Sequence, residues 1–341
     1  MVYRVPYVEV NGPSGDNLVP VWGSKLLSVK VVSYLDNMMD EATITFSNGP
    51  PYFTSPPNET AFSVKLGWSK GSAVDKGTFY LQRVHLSGSP QQGERVSYIC
   101  RASAFDIGLN KVGSQHFAED NGNTTLNDVF QNLFKGTGKT VEVAPEIAGK
   151  PIPDGYYLQH NQTALDAGQD LAQNNRAVVK AQGGKIIVLP LDAGVSVSAS
   201  ALAGISIDHG ACYEYDCEVE PRFRYSSVAV SWFDPTSGKS KTESSPNVSG
   251  GGDVGGLPHL ASGQYDAQAQ ADAYAAELGR EEFTGLFVIP GSETATAGAY
   301  VTTTGFPDPI DGAKLQCMTL TDEWSAETGW HTTVEVQQVP S

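Results

Sequence analysis

Alternating apolar and polar side chains dominate the first hundred residues of the chain. Leu27, Val29 and Val31, for example, are separated by two polar residues. A period of two places the apolar side chains on one face of a strand, which predicts half-buried strands. The strands predicted in this way cover 27–31, 42–46, 62–66, 79–86 and 95–101. Five or six strands at this spacing favour a barrel or a sandwich, because both limit the number of exposed strand edges.

Residues 124 to 190 follow a different period. Apolar residues there recur at the i, i+3, i+4, i+7 and i+8 positions of one helical face, as Leu126, Val129, Phe130, Leu133 and Phe134. This spacing predicts a helix, which we expect to end at Gly136. A second helix is predicted from Thr163, a candidate N-cap with Asp166 three residues later, to about Asn174. The Gly183-Gly184 pair between two β-branched runs then predicts a hairpin.

The last block returns to strands. Val228, Val230 and Trp232 alternate with small residues, and further strands are predicted at 286–289, 299–304, 314–321 and 330–337. Two interruptions are expected, a polar, glycine-rich loop at 234–256 and an alanine-rich helix at 265–283. The chain is therefore divided into 1–104, 105–204 and 205–341. The two outer blocks share a style of strand without detectable sequence identity, and could be distant copies of one barrel.

The net charge of -16 lies mainly in the last block. Residues 1–102 carry nine basic and eight acidic side chains, residues 103–204 carry seven and ten, and residues 205–341 carry six and twenty. An acidic surface repels phosphate backbones, which argues against tight nucleic-acid binding. A channel that lets DNA pass without sticking would have this sign, and so would a surface that is acidic for solubility.

The cysteines and the chain ends offer little chemistry. Cys100, Cys212, Cys217 and Cys317 form no Cys-x-x-Cys pair, so metal binding has weak support. Buried free thiols are favoured over a disulfide between Cys212 and Cys217, since the N-terminal residues lack the apolar core of a signal peptide and predict cytoplasmic synthesis. The sequence contains no apolar run of about 18 residues, so we expect no stable membrane insertion.

The motifs that suggest catalysis are weak. The segment 136–140, Gly-Thr-Gly-Lys-Thr, lacks the first glycine of a phosphate-binding loop and follows a helix instead of preceding one. Carboxylate neighbours and an Asp-His pair occur, but such neighbours arise by chance in an acidic block, and two tryptophans that could stack on sugars are better read as core residues. These candidates are Asp208-His209, Glu281-Glu282, Asp308 with Asp311, and Trp324 with Trp330. We predict no catalytic, cofactor-binding or metal-binding residue.

An ordered set of segments spread over nearly the whole chain resembles the baseplate hub proteins of contractile phage tails, the late control gene D family. That family is related to the first module of the VgrG spike proteins of type VI secretion. The segments that carry the resemblance are 27–31 with 40–46, 64–67, 125–130, 162–172 with the Gly183-Gly184 hairpin, 290–291, 297–301, 310–315 and 329–336. The chain departs from the family at Ala167-Gly168, where bulky residues are usual, and at 322–324, where a histidine is usual.

The resemblance implies a β-rich α+β fold, with tube-type antiparallel β-barrels at 1–104 and 205–341 and an inserted small α/β domain at 105–204. It also implies a non-enzymatic homotrimer whose six barrels match the sixfold tail tube above and whose threefold symmetry matches a central spike below. The implied partners are the tail tube protein, the spike, the tape-measure protein and other baseplate proteins, with DNA passing through the lumen. Three alternatives stay open: a hub with peptidoglycan-hydrolase activity, a VgrG-like spike component, and a soluble β-rich binding protein.

Overall fold

The structure of the chain is a computed structural model. It describes residues 5–339 apart from 51, 53, 92, 104–106, 183, 220–224, 247–252, 281 and 282. None of the helices in these described ranges combines the length and the apolarity needed to cross a membrane.

The first block forms strands wherever alternation predicted them. Its elements are β1 (Tyr7–Asn11), α1 (Val19–Trp22), β2 (Leu26–Tyr34), β3 (Glu41–Ser47), β4 (Ala61–Gly67), β5 (Val74–Ser89) and β6 (Gly93–Arg101). Val29, Val31 and alternate residues of the other strands enclose one apolar core. Leu27 is an exception to the predicted pattern. The pairing of β2 with β3 shifts register between Leu26 and Ser28, and this irregularity buries Leu26 in place of Leu27.

The middle block confirms the two predicted helices, and the antiparallel pairing of 177–182 with 185–190 confirms the hairpin, although Gly183 of its turn lies outside the described residues. Its elements are α2 (Ile107–Asn110), β7 (Val112–Ala118), α3 (Leu126–Leu133), β8 (Thr140–Val143), α4 (Pro145–Ala148), β9 (Tyr156–Thr163), α5 (Ala164–Gln173), β10 (Ala177–Gln182) and β11 (Lys185–Pro190). Thr125 and Asp128 form a capping box at the start of α3, and Thr163 accepts a hydrogen bond from the amide of Asp166 at 3.0 Å. The apolar faces of both helices pack on β10 and β11 around a second core.

The last block contains more strands than predicted. Its elements are β12 (Ile205–Asp208), β13 (Glu214–Val219), β14 (Tyr225–Asp234), β15 (Lys239–Pro246), β16 (Asp253–Gly256), α6 (Gln264–Arg280), β17 (Phe283–Pro290), β18 (Tyr300–Thr304), β19 (Leu315–Ser325) and β20 (Gly329–Gln338). The helix predicted at 265–283 is α6. The prediction of a loop throughout 234–256 is corrected, because β15 and β16 lie there and pair with β14 in a separate small sheet.

Strand β15 was not predicted from the sequence, for a physical reason. It is an edge strand whose side chains are nearly all exposed, so its sequence has no alternation of apolar and polar residues. Its backbone pairing with β14 holds it in place. The small sheet packs α6 against Val230 and Trp232, and these residues form a core of their own with Ala267 and Ala271. The last block therefore contains a helix-and-sheet module between β13 and β17.

Twelve of the described strands form one continuous sheet, and its two halves have the same topology. In the first half, which we call the first barrel, the spatial order is β1-β4-β5-β6-β3-β2. In the second half, the second barrel, it is β12-β18-β19-β20-β17-β13. When the six strands of each half are numbered along the chain, both halves have the same spatial order, 1-4-5-6-3-2, and strands with the same number are counterparts. The outer blocks are therefore topological copies, although β1 lies antiparallel to β4 whereas β12 lies parallel to β18.

Strand β19 joins the two halves. One edge of β19 pairs with β20 along its length. The other edge pairs first with β18, at Leu315 and Gln316, and then with β2, from Thr319 to Ser325. The first and second barrels are thus connected by main-chain hydrogen bonds as well as by the inserted domain.

Candidate functional site at the barrel junction

The described residues that the sequence offered as candidates for catalysis lie at turns or in the hydrophobic core. Asp208 accepts a hydrogen bond from the amide of Gly210, and Asp311 accepts from two backbone amides of the turn at 305–306. Trp330 is buried in the first core, and Trp324 packs against it. The segment 136–140 lies in the turn between α3 and β8 and ends on the first residue of β8. Glu281 and Glu282 lie outside the described residues.

No group of three or more His, Cys, Asp or Glu side chains within the described ranges could hold a metal ion. The four cysteines are free thiols. Burial raises the pKa of Cys100 and of Cys317 to about 12, and raises that of Cys217 to about 11. Since the thiolate is the reactive form, these cysteines are poor nucleophiles and poor metal ligands at neutral pH. The notable chemistry lies at the contacts between domains.

A buried ion pair joins the two barrels. The Nζ atom of Lys76, on β5, lies 2.7 Å from Oδ2 of Asp322, on β19, and the two side chains are 9% and 3% exposed. The other carboxylate oxygen of Asp322 accepts hydrogen bonds from Trp330 Nε1 at 3.2 Å and from Thr332 Oγ1 at 2.6 Å. Both oxygens of this buried charge are therefore paired, as a carboxylate removed from water requires.

A second contact lies beside this ion pair, where the turn between β4 and β5 meets the segment after β17. Trp68 Nε1 donates to the carbonyl of Gly291 at 2.8 Å. Glu293 accepts from the amide of Trp68 at 3.1 Å and from the hydroxyl of Ser72 at 2.6 Å. A Cβ atom on Gly291 would lie 2.0 Å from Cδ2 of Trp330, so a residue without a side chain is required there.

The inserted domain is attached to the first barrel by another buried ion pair. Lys180, on β10, lies 2.7 Å from Oδ1 of Asp40, and it also donates to the carbonyl of Tyr34. Gln182 donates to the other oxygen of Asp40 at 2.9 Å. The backbone amide of Val179 donates to the side chain of the neighbouring Asn37 at 3.0 Å. The turn between β2 and β3 is therefore held by the sheet of the inserted domain.

The inserted domain also contacts the helix-and-sheet module of the last block. The two carboxylate oxygens of Asp154 accept hydrogen bonds, each of 3.1 Å, from the backbone amides of Tyr265 and Asp266. These amides belong to the first turn of α6, where helix N–H groups lack partners within the helix. A Cβ atom on Gly263 would lie 2.4 Å from Asp154. Asp154 thus caps a helix more than a hundred residues away in the sequence.

The face of the continuous sheet that points away from the cores is charged, and we call it the polar face. In the second barrel it carries acidic residues, namely Glu214, Asp216, Glu218, Glu323 and Glu335. In the first barrel it carries mainly basic residues, namely Lys30, Lys65, Arg83, Arg95 and Arg101, together with Glu9, Glu41 and Asp75. The two charges meet at the junction, where Glu323 of β19 pairs directly with Lys30 of β2. The acidity of the last block is therefore partly concentrated on one face of its sheet.

Strand β1 contributes a further charged contact. Hydrogen bonds from Tyr7 and Asn11 to Glu9, together with Lys65 at 3.2 Å, lower the pKa of Glu9 to about 2 from its ordinary value near 4.5. Lys65 lies directly opposite Glu9 on β4. The Glu9 carboxylate therefore stabilises the pairing of β1 with β4 in its ionised form.

Sequence reasoning did not find these domain contacts. Lys76 and Asp322 are 246 positions apart, and neither has a local pattern that marks it. The signal that was present in the sequence is the pair of glycines, Gly263 and Gly291. A glycine at either position reflects a close approach between elements that the sequence alone does not bring together.

Comparisons with known proteins show which sequences and folds this chain resembles. No family model matches the sequence. The probable baseplate hub protein of Escherichia phage P2 is 24% identical over 210 residues, which are 61% of this chain and 51% of the phage protein. The chain spans about half the length of this curated relative.

Solved structures share the fold over almost the entire chain. A tail protein from Neisseria meningitidis MC58 has a TM-score of 0.69 and 15% identity, with 98% of this chain and 97% of that chain covered. A 43 kDa tail protein of prophage MuSo2 from Shewanella oneidensis has a TM-score of 0.70 and 13% identity, with 96% and 97% covered. An Escherichia coli component of the type VI secretion system has a TM-score of 0.54 and 10% identity, with 98% and 77% covered.

These findings confirm the resemblance that the ordered segments predicted. The β-rich α+β fold is the fold of phage tail proteins and of type VI secretion components, and the sequence is similar to that of a phage baseplate hub protein. The chain is accordingly similar to a phage baseplate hub protein in sequence and to phage tail proteins in fold.

Proposed function

We propose that the chain is a structural hub of a contractile tail baseplate. In this proposal three chains form a ring, and each chain contributes its two barrels. The ring presents six similar barrels to a sixfold tail tube and threefold symmetry to a central spike. The observation that carries the proposal is the repeated strand order of the two barrels, because two copies of one topology in each chain allow three chains to occupy six quasi-equivalent positions.

The junction contacts suit such a role. A hub that transmits load between a tube and a spike needs barrels that keep a fixed relative position. The β2–β19 pairing, the Lys76–Asp322 ion pair and the Trp68–Gly291 hydrogen bond all connect the first barrel to the second. The inserted domain and the helix-and-sheet module are then available to contact the spike, the tape-measure protein or other baseplate proteins.

The polar face is the proposed wall of the lumen. The acidic half of this face would repel the DNA backbone, whereas the basic half would attract it. A ring of alternating barrels would therefore present alternating charge to passing DNA, with the acidity of the last block on every second barrel. We place the protein in the tail of the virion, after assembly in the bacterial cytoplasm.

Reconstitution tests the proposal. The chain should form a stoichiometric complex, isolable by size-exclusion chromatography, with the tail tube protein and the spike protein encoded in the same genome. Failure to bind either protein would contradict the hub role. The alternative of a peptidoglycan hydrolase predicts clearing in a cell-wall zymogram, and clearing by the purified chain would count against a purely structural role.

A further inference from the structure

Four strand edges in the continuous sheet lack a partner strand within the described part of the chain, namely the outer edges of β1, β12 and β13 and the last part of one edge of β5. Strand β13 pairs with β17 along one edge, and its other edge faces no described strand. Strand β5 pairs with β4 only as far as Tyr80, whereas it pairs with β6 to its end. The segment 82–88 of β5 therefore has an open edge opposite β6. Open edges of this kind are sites at which another chain can add a strand.

The internal repeat shows what covers the equivalent edge in the second barrel. The β5–β6 hairpin shifts register between Leu81 and Arg83, and the β19–β20 hairpin shifts register between Cys317 and Thr319. In both hairpins the last paired residue of the first strand comes eight positions after the residue that precedes the shift. These last residues are Ser89, eight after Leu81 and paired with Gly93, and Ser325, eight after Cys317 and paired with Gly329. The segment 82–89 is therefore the counterpart of 318–325. Strand β2 covers that counterpart from Thr319 to Ser325.

Strand β13 is the counterpart of β2, because each is the last strand of its barrel. The correspondence extends to single residues. Lys30 of β2 lies in line with Thr43 and Ile99 across its barrel, and Asp216 of β13 lies in line with Leu286 and Glu335. Ile99 and Glu335 are counterparts, since each pairs with the first residue after the register shift of its hairpin. Lys30 and Asp216 therefore occupy equivalent positions.

We infer that β13 of one copy adds antiparallel to the open edge of β5 in the next copy, in the register that β2 and β19 use within the chain. This inference rests on the proposed ring and specifies the contact that closes it. Within the chain, Lys30 lies opposite Glu323. Asp216 is the counterpart of Lys30 and Ser87 is the counterpart of Glu323, so in the inferred contact Asp216 lies opposite Ser87 of the neighbouring copy. By the same correspondence Glu218 lies opposite His85. The contact is heterologous, so it repeats head to tail until a ring closes.

The chemistry of the two edges is complementary. Strand β13 carries three acidic side chains, Glu214, Asp216 and Glu218, on the polar face. The receiving hairpin carries Arg83, His85 and Arg95 on that face, all of them exposed. Opposite charges on facing strands favour this pairing and disfavour a pairing of two β13 strands.

The opposite faces of the two edges are apolar. Leu86 is 66% exposed and Val219 is 49% exposed in the single chain. In the inferred register Leu86 lies opposite Cys217, and Val219 lies opposite Val84. These side chains would continue the two cores across the boundary between copies. The pairing thus removes exposed apolar surface from both edges, which the single chain leaves in water.

Engineered disulfides test the register. Directly opposed residues in antiparallel strands have Cα atoms about 4.5–5.5 Å apart, which is within the range that a disulfide spans. The variants S87C/D216C and H85C/E218C should therefore cross-link copies into covalent trimers under mild oxidation. The matched control is H85C/E214C, which is out of register by four residues, or about 14 Å. This control and the single variants should give no cross-linked trimer.

The mass of the particle separates the two levels of the proposal. Light scattering on the same samples reports the oligomeric state without cross-linking. A trimer in which the matched cysteines fail to cross-link would overturn the β13–β5 pairing and leave the ring intact. A particle that is not a trimer and that does not cross-link would overturn both.

Discussion

The buried ion pair between the barrels provides a quantitative prediction. Lys76 and Asp322 are 2.7 Å apart and 9% and 3% exposed. At this distance, with an effective dielectric constant of about 20, their attraction is about 6 kcal/mol, and the loss of water around both ions offsets much of it. Removing one partner from such a pair costs about 3–5 kcal/mol, because the other charge stays buried.

A double-mutant cycle isolates this interaction. K76M leaves Asp322 with its hydrogen bonds from Trp330 and Thr332. We therefore expect the free energy of unfolding to fall by about 3 kcal/mol, near the lower end of that range. D322N keeps an acceptor oxygen for the same two donors but removes the carboxylate that balances the lysine charge. The ammonium of Lys76 then keeps only a long hydrogen bond of 3.5 Å to the carbonyl of Ser292 and the ring of Trp330 at 5.8 Å, so we expect a similar loss of unfolding free energy. The double variant buries no charge, so its loss should be smaller than the sum of the single losses by roughly 2–3 kcal/mol.

Urea unfolding followed by tryptophan fluorescence measures the cycle. The rings of Trp68 and Trp330 are 5.3 Å apart beside the ion pair, so their emission reports on the junction. The matched control is the exposed pair of Lys185 and Glu142, at 2.6 Å with side chains 49% and 32% exposed. The coupling of that pair should be at most about 1 kcal/mol. Losses for K76M and D322N that add to within about 0.5 kcal/mol would refute the reasoning.

Three further predictions concern single positions. The low pKa of Glu9 contributes stability that is present above pH 4.5 and is lost as the pH falls toward 2, so E9Q should flatten the decline in unfolding free energy across that range, and an unchanged slope would contradict this. G291A should destabilise the chain by about 1–3 kcal/mol or more through a clash with the buried tryptophan ring, whereas G149A, where a Cβ atom meets nothing within 4 Å, should have little effect in thermal unfolding. D154A should cost about 0.5–2 kcal/mol and speed hydrogen exchange in the first turn of α6, whereas T163A should affect α5 alone, and equal exchange at α6 in both variants would contradict the assigned cap.

The sequence allowed most elements of the two barrels to be predicted, because each buries one face and the alternation of apolar residues records this. It also allowed α3 to be placed, since its four apolar residues and the following Phe134 lie on one face and Thr125 and Asp128 cap it. Strand β15 could not be predicted, because almost none of its side chains is buried. Backbone pairing alone does not leave an apolar pattern.

The junction could not be predicted for a different reason. Lys76, Asp40 and Asp154 are ordinary charged residues in the sequence, and their roles depend on partners that are distant along the chain. The repeat of the two barrels was suggested by their shared style of strand and by the family resemblance, but no sequence identity revealed it. Its evidence is the strand order and the shared register shift, whereas residues at equivalent positions, such as Lys30 and Asp216, differ even in the sign of their charge.

Native mass spectrometry of the purified chain tests the central claim most directly. A hub whose two barrels provide six positions in a ring must assemble from three copies. The account predicts a dominant species with three times the 36.3 kDa mass of the chain. A chain that stays monomeric at every concentration, or that forms a particle without threefold stoichiometry, would contradict the account.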